Sequence, residues 1–194
     1  MKVSIITITY NSAATIEQTI NSVLDQSYSN IEYIIVDGGS TDNTLQIIDK
    51  YKGKISKIIS EKDNGLYDAL NKGIDLTTGD VIGILHSDDF YIDKNIIEKY
   101  AATFIKNHSD AVYSDLFYVD RENTNKIIRK WKSGNHKPNS FLHGWMPPHP
   151  TFFVKRELYQ KFGKSVVKRV NSSSQGLDSS SSSNREQKTF LIRL

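Results

Sequence analysis

The 194-residue chain contains no cysteine and no long apolar run. Without thiols it can form neither disulfides nor Cys-based zinc sites, and thiolate catalysis is excluded. No stretch approaches the roughly 18 consecutive apolar residues of a membrane-spanning helix. We therefore expect a cytoplasmic protein, which could also lie at the inner face of the membrane without crossing it.

Most of the chain also lacks an excess of basic residues, although the formal net charge is +3. Residues 164–194 hold six of the 25 Lys and Arg and two of the 22 Asp and Glu, which leaves 19 bases against 20 acids in residues 1–163. This larger part is near neutral, and nucleic-acid binding, which needs a basic surface, is not expected.

Glycine is missing where a dinucleotide-binding fold would need it. The segment after the first apolar run reads TYNSAATIEQ and lacks the Gly-x-Gly-x-x-Gly fingerprint. This argues against a dinucleotide-dependent oxidoreductase, and the absence of a Gly-rich, basic phosphate loop argues against a sugar nucleotidyltransferase. All four prolines lie within residues 133–150, where we expect an irregular but packed functional loop.

What the sequence does contain is an alternation of apolar strands and amphipathic helices through its first 108 residues. The runs KVSIITIT, IEYIIVD, KISKIIS and DVIGILHS are typical of buried strands. SAATIEQTINSVLDQ and DKNIIEKYAATFIKNH instead carry apolar residues at helical spacing. The pattern predicts an α/β fold with a mostly parallel central sheet and helices on both faces. DAVYSDLFYVD and NKIIRKWK, with no helix between them, predict a hairpin.

The last 31 residues differ in composition from the rest. Eight of the thirteen residues from Asn171 to Ser183 are serine. Such a segment cannot bury enough apolar surface to order itself. We predict one domain over residues 1–163, followed by a Ser-rich basic tail over residues 164–194 that has no fixed structure.

Polar and acidic side chains follow each of the predicted parallel strands: Thr9 and Tyr10, Asp37, Asp63, and the pair Asp88 and Asp89. Ligands of open α/β sheets bind at this edge, where the carboxyl ends of the strands meet. Two adjacent carboxylates repel each other, and a hard divalent cation shared with substrate phosphates would remove that repulsion. The sequence therefore favours Mg²⁺ or Mn²⁺ as the cofactor.

Each stretch also has a plainer interpretation when it is taken alone. GGSTDNT is ordinary turn and helix-cap chemistry, and adjacent acids at a strand end are more often solvated or capping than metal-binding. YDALNKG alone is an amphipathic helix, and a single His149 is more often structural than catalytic. The other four histidines show no metal-ligand spacing.

The joint pattern, however, resembles the family-2 inverting glycosyltransferases with the nucleotide-diphospho-sugar (GT-A, Rossmann-like) fold, of the bacterial surface-polysaccharide type. The matching stretches are SIITITYNSAATIEQTINSVLDQSYSNIEYIIVDGGSTDNT, SEKDNGLYDALNKG, GDVIGILHSDDFY and PPHPTFFVKRELYQKFG, in the family's order. The resemblance implies metal-dependent transfer of a hexose from a nucleotide-diphospho-sugar, commonly a UDP-sugar, to a glycan or lipid-linked acceptor.

The resemblance also implies roles for the matching residues. Thr9 and Tyr10 would line the base pocket, Asp37 would hydrogen-bond the base, and Asp63 would contact the nucleotide. Asn71 and Lys72 would orient the donor, Asp88 would face the ribose, and Asp89 would hold the metal. His149 and Trp145 would stand on the acceptor side.

The chain departs from the family after Gly163, where the family carries an acidic segment that supplies the general base. No residue is therefore assigned as the base, and Asp178, isolated in the serine run, is a poor candidate. We expect a domain that is C-terminally incomplete relative to the family. The alternative function is a catalytically impaired nucleotide-sugar-binding domain. The basic run Arg129, Lys130, Lys132 and Lys137 is a solvated face or a peripheral membrane contact.

Overall fold

The computed structural model describes residues 1–136, 139–163 and 189–193. The helices are α1 (Ile16–Leu24), α2 (Thr44–Asp49), α3 (Leu66–Leu76), α4 (Ile96–Asn107) and α5 (Arg156–Phe162), with 3₁₀ turns at Ser140–His143 and His149–Thr151. The strands are β1 (Val3–Thr9), β2 (Ile31–Asp37), β3 (Lys57–Ser60), β4 (Val81–Ile84), β5 (Asp89–Tyr91), β6 (Ala111–Val112), β7 (Asp115–Val119), β8 (Ile127–Trp131), β9 (Phe153–Lys155) and β10 (Thr189–Arg193).

Six strands form the central sheet, in the order β3-β2-β1-β4-β9-β6. β1 pairs in parallel with both β2 and β4, β2 pairs in parallel with β3, and β9 runs antiparallel to its two neighbours. Helices lie between the successive parallel strands. The mostly parallel, helix-covered α/β sheet predicted from the sequence is confirmed.

Alternation along β1 separates two hydrophobic layers, one on each face of this sheet. Ile5 packs in a layer with Ile20 of α1 and Tyr100 of α4, whereas Ile6 packs in a second layer with Leu70 of α3. Successive side chains of a strand point to opposite faces, so a continuous apolar run buries both. This is why the central strands read as unbroken apolar runs.

A second sheet has the order β5-β10-β7-β8 and was not predicted. DAVYSDLFYVD divides between the two sheets, because β6 joins the central one and β7 the second. The predicted hairpin between β7 and β8 is present, with a bulge at Tyr118/Val119. β5 has only three residues, too short to show a strand period in the sequence.

The predicted absence of fixed structure after Gly163 does not hold at Thr189–Arg193. These residues form β10, which pairs in parallel with β5 and antiparallel with β7. The run Thr-Phe-Leu-Ile has high strand propensity, and its backbone groups pair with those of the strands on either side. The remainder of the predicted tail lies outside the described residues. Among the residues that the structure describes, no helix is long and apolar enough to cross a membrane.

Candidate functional site

The register of the central sheet brings the carboxyl ends of its parallel strands together. Thr9 at the end of β1 is the partner of Asp37 at the end of β2, and Asp37 is the partner of Ser60 at the end of β3. The loops that follow these strands therefore meet at one edge, as the sequence led us to expect. The edge is built by the loops before α1, α2 and α3 and by the segment between β4 and β5.

Asp37 is fully buried beneath this edge and organises the turn that follows β2. One of its carboxylate oxygens, Oδ2, accepts the backbone N–H of Gly39 at 3.1 Å and of Ser40 at 3.0 Å, and the Ser60 hydroxyl at 2.7 Å. The other oxygen accepts the Ser40 hydroxyl. The carboxylate therefore holds the turn and the end of β3 in place. Its predicted contact with a base stays a prediction.

Tyr10, Gly38 and Asp63 come together above that turn. Tyr10 is 61% exposed, and its ring carbon Cδ2 would lie 3.6 Å from a side-chain Cβ built on Gly38. The same Cβ would overlap Asp63 Oδ2 and lie 3.2 Å from Asp63 Cγ. The other carboxylate oxygen of Asp63 accepts the N–H of Gly65 at 2.8 Å. Gly38 thus leaves the space that the Asp63 carboxylate occupies.

Asn11 joins the loops after β1 and β2. Its backbone adopts a left-handed conformation with φ of 49°, which asparagine tolerates better than most residues. Its side-chain oxygen accepts the N–H of Thr41 at 2.8 Å, and its own N–H donates to the Ser40 hydroxyl at 2.8 Å. Ser12 reaches Ser87, after β4, with 2.8 Å between the hydroxyl oxygens. These contacts fix three loops relative to one another.

Three of the residues expected to bind the donor are buried or only partly exposed at this edge: Thr9, Asn71 and Lys72. Thr9 is 4% exposed, and its hydroxyl has no hydrogen-bond partner among the described residues. Lys72 on α3 forms ion pairs with Glu61 at 2.8 Å and with Asp68 at 3.1 Å. Its charge therefore supports the loop between β3 and α3, and Asn71 lies partly exposed beside it.

The paired acids differ in their surroundings. Asp88 lies at the surface, and Asp89 is fully buried at the start of β5. Desolvation raises the pKa of Asp88, and the positive charge of Arg121 partly opposes that shift. Burial is the main cause that raises the pKa of both Tyr91 and Tyr118, and the negative charge of Asp89 contributes to each. Arg121 is a basic group of this site that the sequence did not indicate.

His149 packs against His86, which stands two positions before Asp88. Their ring centroids are 5.3 Å apart, and Nε2 of His149 is buried with no hydrogen-bond partner among the described residues. Burial lowers the pKa of His86 to about 4, and burial together with His86 lowers the pKa of His149 to about 3. Both rings are therefore neutral at pH 7. The sequence gave His86 no role, because the ring pairing depends on tertiary contact.

Trp145 belongs to a different group of side chains, within the proline-containing loop. Its indole N–H donates to the carbonyl of Ser133 at 2.8 Å, and its ring contacts Tyr113 and His136, each with centroids 5.3 Å apart. The Tyr113 hydroxyl also donates to the Gly134 carbonyl at 3.0 Å. This part of the loop is packed, as predicted.

A divalent cation fits the acid pair only if the substrate supplies further ligands. Within the part of the chain that the structure describes, no group of three or more His, Asp or Glu side chains could hold a metal ion. Mg²⁺ and Mn²⁺ suit such a site, since they commonly bind through one or two carboxylates, substrate phosphates and water. Burial of Asp89 is compatible with this role, because a bound cation replaces the water that a buried carboxylate lacks.

Comparison with known proteins identifies the family to which this chain belongs. The model of the family described as "Glycosyl transferase family 2" matches residues 4–163. A PGL/p-HBAD biosynthesis glycosyltransferase of Mycobacterium bovis is 38% identical over 118 residues, which cover 58% of this chain and 46% of that protein. An uncharacterised glycosyltransferase of Haemophilus influenzae is 35% identical over 159 residues, or 80% and 62% of the two chains. The chain thus spans about half the length of these relatives.

Solved structures share the fold. S. aureus TarS 1-349 superposes with a TM-score of 0.63 at 26% identity, covering 84% of this chain and 49% of TarS. Its complex with UDP gives a TM-score of 0.61 at 25% identity over the same shares. Glucosyl-3-phosphoglycerate synthase of Mycobacterium tuberculosis, in complex with Mn²⁺, UDP and phosphoglyceric acid, gives 0.58 at 19% identity over 81% and 56%, a likeness that concerns the fold alone.

Proposed function

Since the chain belongs to glycosyl transferase family 2, we propose that it binds a nucleotide-diphospho-sugar, preferably a UDP-sugar, and transfers the sugar with inversion to a glycan or lipid-linked acceptor. TarS, which shares the fold at 25% identity, has been crystallised with UDP. The proposal places the donor at the carboxyl edge of the central sheet, as is general for open α/β sheets.

The observation that carries this proposal is the meeting of an exposed aromatic ring and several acids at that edge. The exposed ring of Tyr10 can stack on a flat base, and such stacking contributes about 1–3 kcal/mol per base in other nucleotide-binding proteins. Asp63 lies beside Tyr10, and Asp88 lies at the surface next in the chain to the buried Asp89. Carboxylates accept hydrogen bonds from base N–H and ribose hydroxyl groups, so the edge suits a nucleoside.

Charge on the diphosphate has to be balanced during transfer. A divalent cation at Asp89, when bound, would supply that balance for the leaving diphosphate. The guanidinium of Arg121 is close enough to Asp88 to influence its pKa and adds positive charge on the same side. In our proposal Asp88 takes the ribose hydroxyls, and the neutral His149 lies between the acid pair and the acceptor.

Inverting transfer forms a bond between the acceptor oxygen and the anomeric carbon as the bond to the diphosphate oxygen breaks. The acceptor hydroxyl loses its proton to a general base, a role that contributes typically 10² to 10⁴ in rate. None of the described residues is assigned this role, and Asp178 lies outside them. The second candidate function therefore remains a nucleotide-sugar-binding domain with impaired catalysis.

A paired assay separates the two functions. Thermal shift with a panel of nucleotide sugars, with and without Mn²⁺, identifies the donor, and release of nucleotide diphosphate with and without candidate acceptors reports turnover. Acceptor-dependent release supports the transferase. Stabilisation by a donor without release supports the binding domain, and no stabilisation by any nucleotide sugar contradicts both.

The acceptor side of the proposal includes a peripheral contact with anionic lipid. β8 lies at the edge of the second sheet, its Ile128 is 60% exposed, and Arg129, Lys130 and Lys132 are exposed without an acid among them. Each basic residue near an anionic membrane contributes about 1 kcal/mol of attraction. Lys132→Glu should therefore reduce sedimentation with phosphatidylserine vesicles and leave the low sedimentation with phosphatidylcholine vesicles unchanged. Equal sedimentation of both chains with both vesicles would contradict this contact.

A further inference from the structure

Two hydroxyl groups hold the segment that carries the acid pair. The Ser12 hydroxyl, in the loop before α1, lies 2.8 Å from the Ser87 hydroxyl. The Thr19 hydroxyl, on α1, donates to the backbone carbonyl of Asp89 at 2.8 Å. Asp88 therefore lies between two residues that are each hydrogen-bonded to α1 or to the loop before it.

The hydrogen bond between Thr19 and Asp89 is shielded from water, because both residues are buried. A buried hydrogen bond that loses one partner is not replaced by a bond to solvent. The backbone N–H of Asp89 is held as well, since it donates to the His86 carbonyl at 3.0 Å. The peptide groups on both sides of the Asp89 Cα are thereby fixed, and with them the direction in which its side chain leaves the backbone.

Thr19 is the polar member of a face of α1 that is otherwise apolar. The other buried residues of the helix, Ile16, Ile20 and Val23, pack in one of the two hydrophobic layers of the central sheet. A threonine hydroxyl on a helix commonly bonds a carbonyl one turn earlier in its own helix, whereas here it donates to a different element. An apolar residue of the same shape would serve packing at this position, so the hydroxyl serves the bond to Asp89.

We propose that Thr19 is a positioning residue of the metal site, whose hydroxyl fixes the Asp89 backbone and so holds the carboxylate in one orientation for the cation. This inference rests on the proposed function, because it concerns the cation that Asp89 would bind together with the donor. Groups that hold a metal ligand in place typically change metal affinity 10- to 100-fold when they are removed. Thr19 touches neither the cation nor the nucleotide, and it acts through Asp89 alone.

The test is calorimetric titration of the full chain with UDP in Mn²⁺ and in EDTA, and the quantity compared between chains is the ratio of the two affinities. Thr19→Val keeps the branched shape of the side chain and removes the hydroxyl. The ratio should be at least about tenfold in the wild-type chain and below about threefold in Thr19→Val, while the affinity in EDTA changes less than about twofold. Thr19→Ser keeps the hydroxyl and should keep the wild-type ratio.

Two further variants separate this role from a loss of stability. Thr77→Val is the matched control, because the buried Thr77 hydroxyl also donates to a backbone carbonyl, that of Ile74 at 2.7 Å, in the connection before β4. This variant loses a similar bond and should keep the wild-type ratio. If Thr19→Val does not fold, Thr19→Ala is compared with Thr19→Ser, since these two side chains differ only in the hydroxyl. The ratio should be low for alanine and unchanged for serine.

The outcomes separate this inference from the function on which it rests. If the hydroxyl-free variants keep the wild-type ratio, or if Thr19→Ser or Thr77→Val lowers it as much as they do, Thr19 does not position Asp89, and the proposed donor site stands. If the wild-type chain binds UDP equally in Mn²⁺ and in EDTA, the metal at Asp89 and this inference both fail. If it binds neither UDP nor GDP in either buffer, the proposed function fails and this inference fails with it.

Discussion

Two acids of the site that look equivalent in the sequence have different environments. Asp37 and Asp63 each follow a predicted strand, and the resemblance gave both a contact with the nucleotide. Asp37 is buried and fully hydrogen-bonded, while Asp63 keeps one oxygen available. Burial and partners of a side chain depend on which loops meet, and a single sequence does not contain that information. The location of both acids was predictable, but the difference between their surroundings was not.

Asp37→Asn tests the structural role of Asp37. The amide has one acceptor oxygen in place of two, so at least part of the turn loses its partners. We expect the free energy of unfolding to fall by about 2–3 kcal/mol, measured by urea denaturation. UDP affinity should fall as well, because Asp37 holds the turn at which Tyr10 and Asp63 meet. Wild-type stability together with a large loss of UDP affinity would mean that Asp37 contacts the nucleotide and does not hold the turn.

The acid pair gives a second prediction about single residues. Asp89→Asn should abolish the gain in UDP affinity that Mn²⁺ provides, because an amide is a poor ligand for a hard cation. Asp88→Asn should weaken UDP to a similar degree with and without Mn²⁺, because in our proposal it contacts the ribose and not the metal. Calorimetry of both variants in Mn²⁺ and in EDTA checks this. If Mn²⁺ raises the UDP affinity of Asp89→Asn as much as that of the wild-type chain, Asp89 does not bind the metal.

Helices and strands were predictable where the periodic pattern of their apolar residues was long and unambiguous. β1, β2, α3 and α4 were all expected within three residues of their observed ends. The second sheet was missed because its strands are short or come from distant parts of the chain, and pairing between distant segments leaves no periodic pattern. β10 is the extreme case, since it pairs with β5 about 100 residues earlier in the chain.

Glu32 joins elements at the opposite end of the sheet and predicts a pH effect on stability. It accepts hydrogen bonds from Ser4 at 2.6 Å and from the Thr78 N–H at 2.7 Å, and it pairs with Lys2 at 3.1 Å. Burial alone would raise the pKa of Glu32, but these bonds from Ser4, Thr78 and Lys2 lower it to about 2.

The direction of the effect follows from this lowered pKa. The unfolded chain binds a proton at Glu32 near pH 4.5, and the folded chain only near pH 2. The stabilisation is therefore complete above about pH 5 and is lost as the pH falls toward 2, by an amount on the order of 3 kcal/mol. Glu32→Gln should be less stable at pH 7 and should show a shallower loss between pH 5 and pH 2.5 in urea denaturation. Parallel curves for the two chains would show that Glu32 is not the responsible group.

The whole molecule combines a central sheet that carries the candidate site with a second sheet that β10 completes. Removing residues 164–194 would leave β5 and β7 without the strand between them. We expect the melting temperature to fall by at least about 4 °C, since 1 kcal/mol corresponds to about 2–4 °C in a domain of this size. Leu191→Pro, which removes a backbone N–H at the middle of β10, should lower it in the same direction.

These two chains also test the predicted domain division. If neither truncation nor Leu191→Pro changes the melting temperature, residues 1–163 are stable without β10, as the composition of the tail suggested. If only the truncation lowers it, the contribution comes from residues 164–188. In both chains UDP affinity should change less than stability, because Tyr10, Gly38 and Asp63 belong to loops of the central sheet.

The central claim is that the carboxyl edge of the central sheet binds a nucleoside diphosphate through a divalent cation. Its most direct test is calorimetric titration of the wild-type chain with UDP, first in Mn²⁺ and then in EDTA. We predict saturable binding with one UDP per chain in Mn²⁺ and at least tenfold weaker binding in EDTA. Equal affinity in the two buffers would contradict the metal, and no binding of UDP or GDP in either buffer would contradict the site itself.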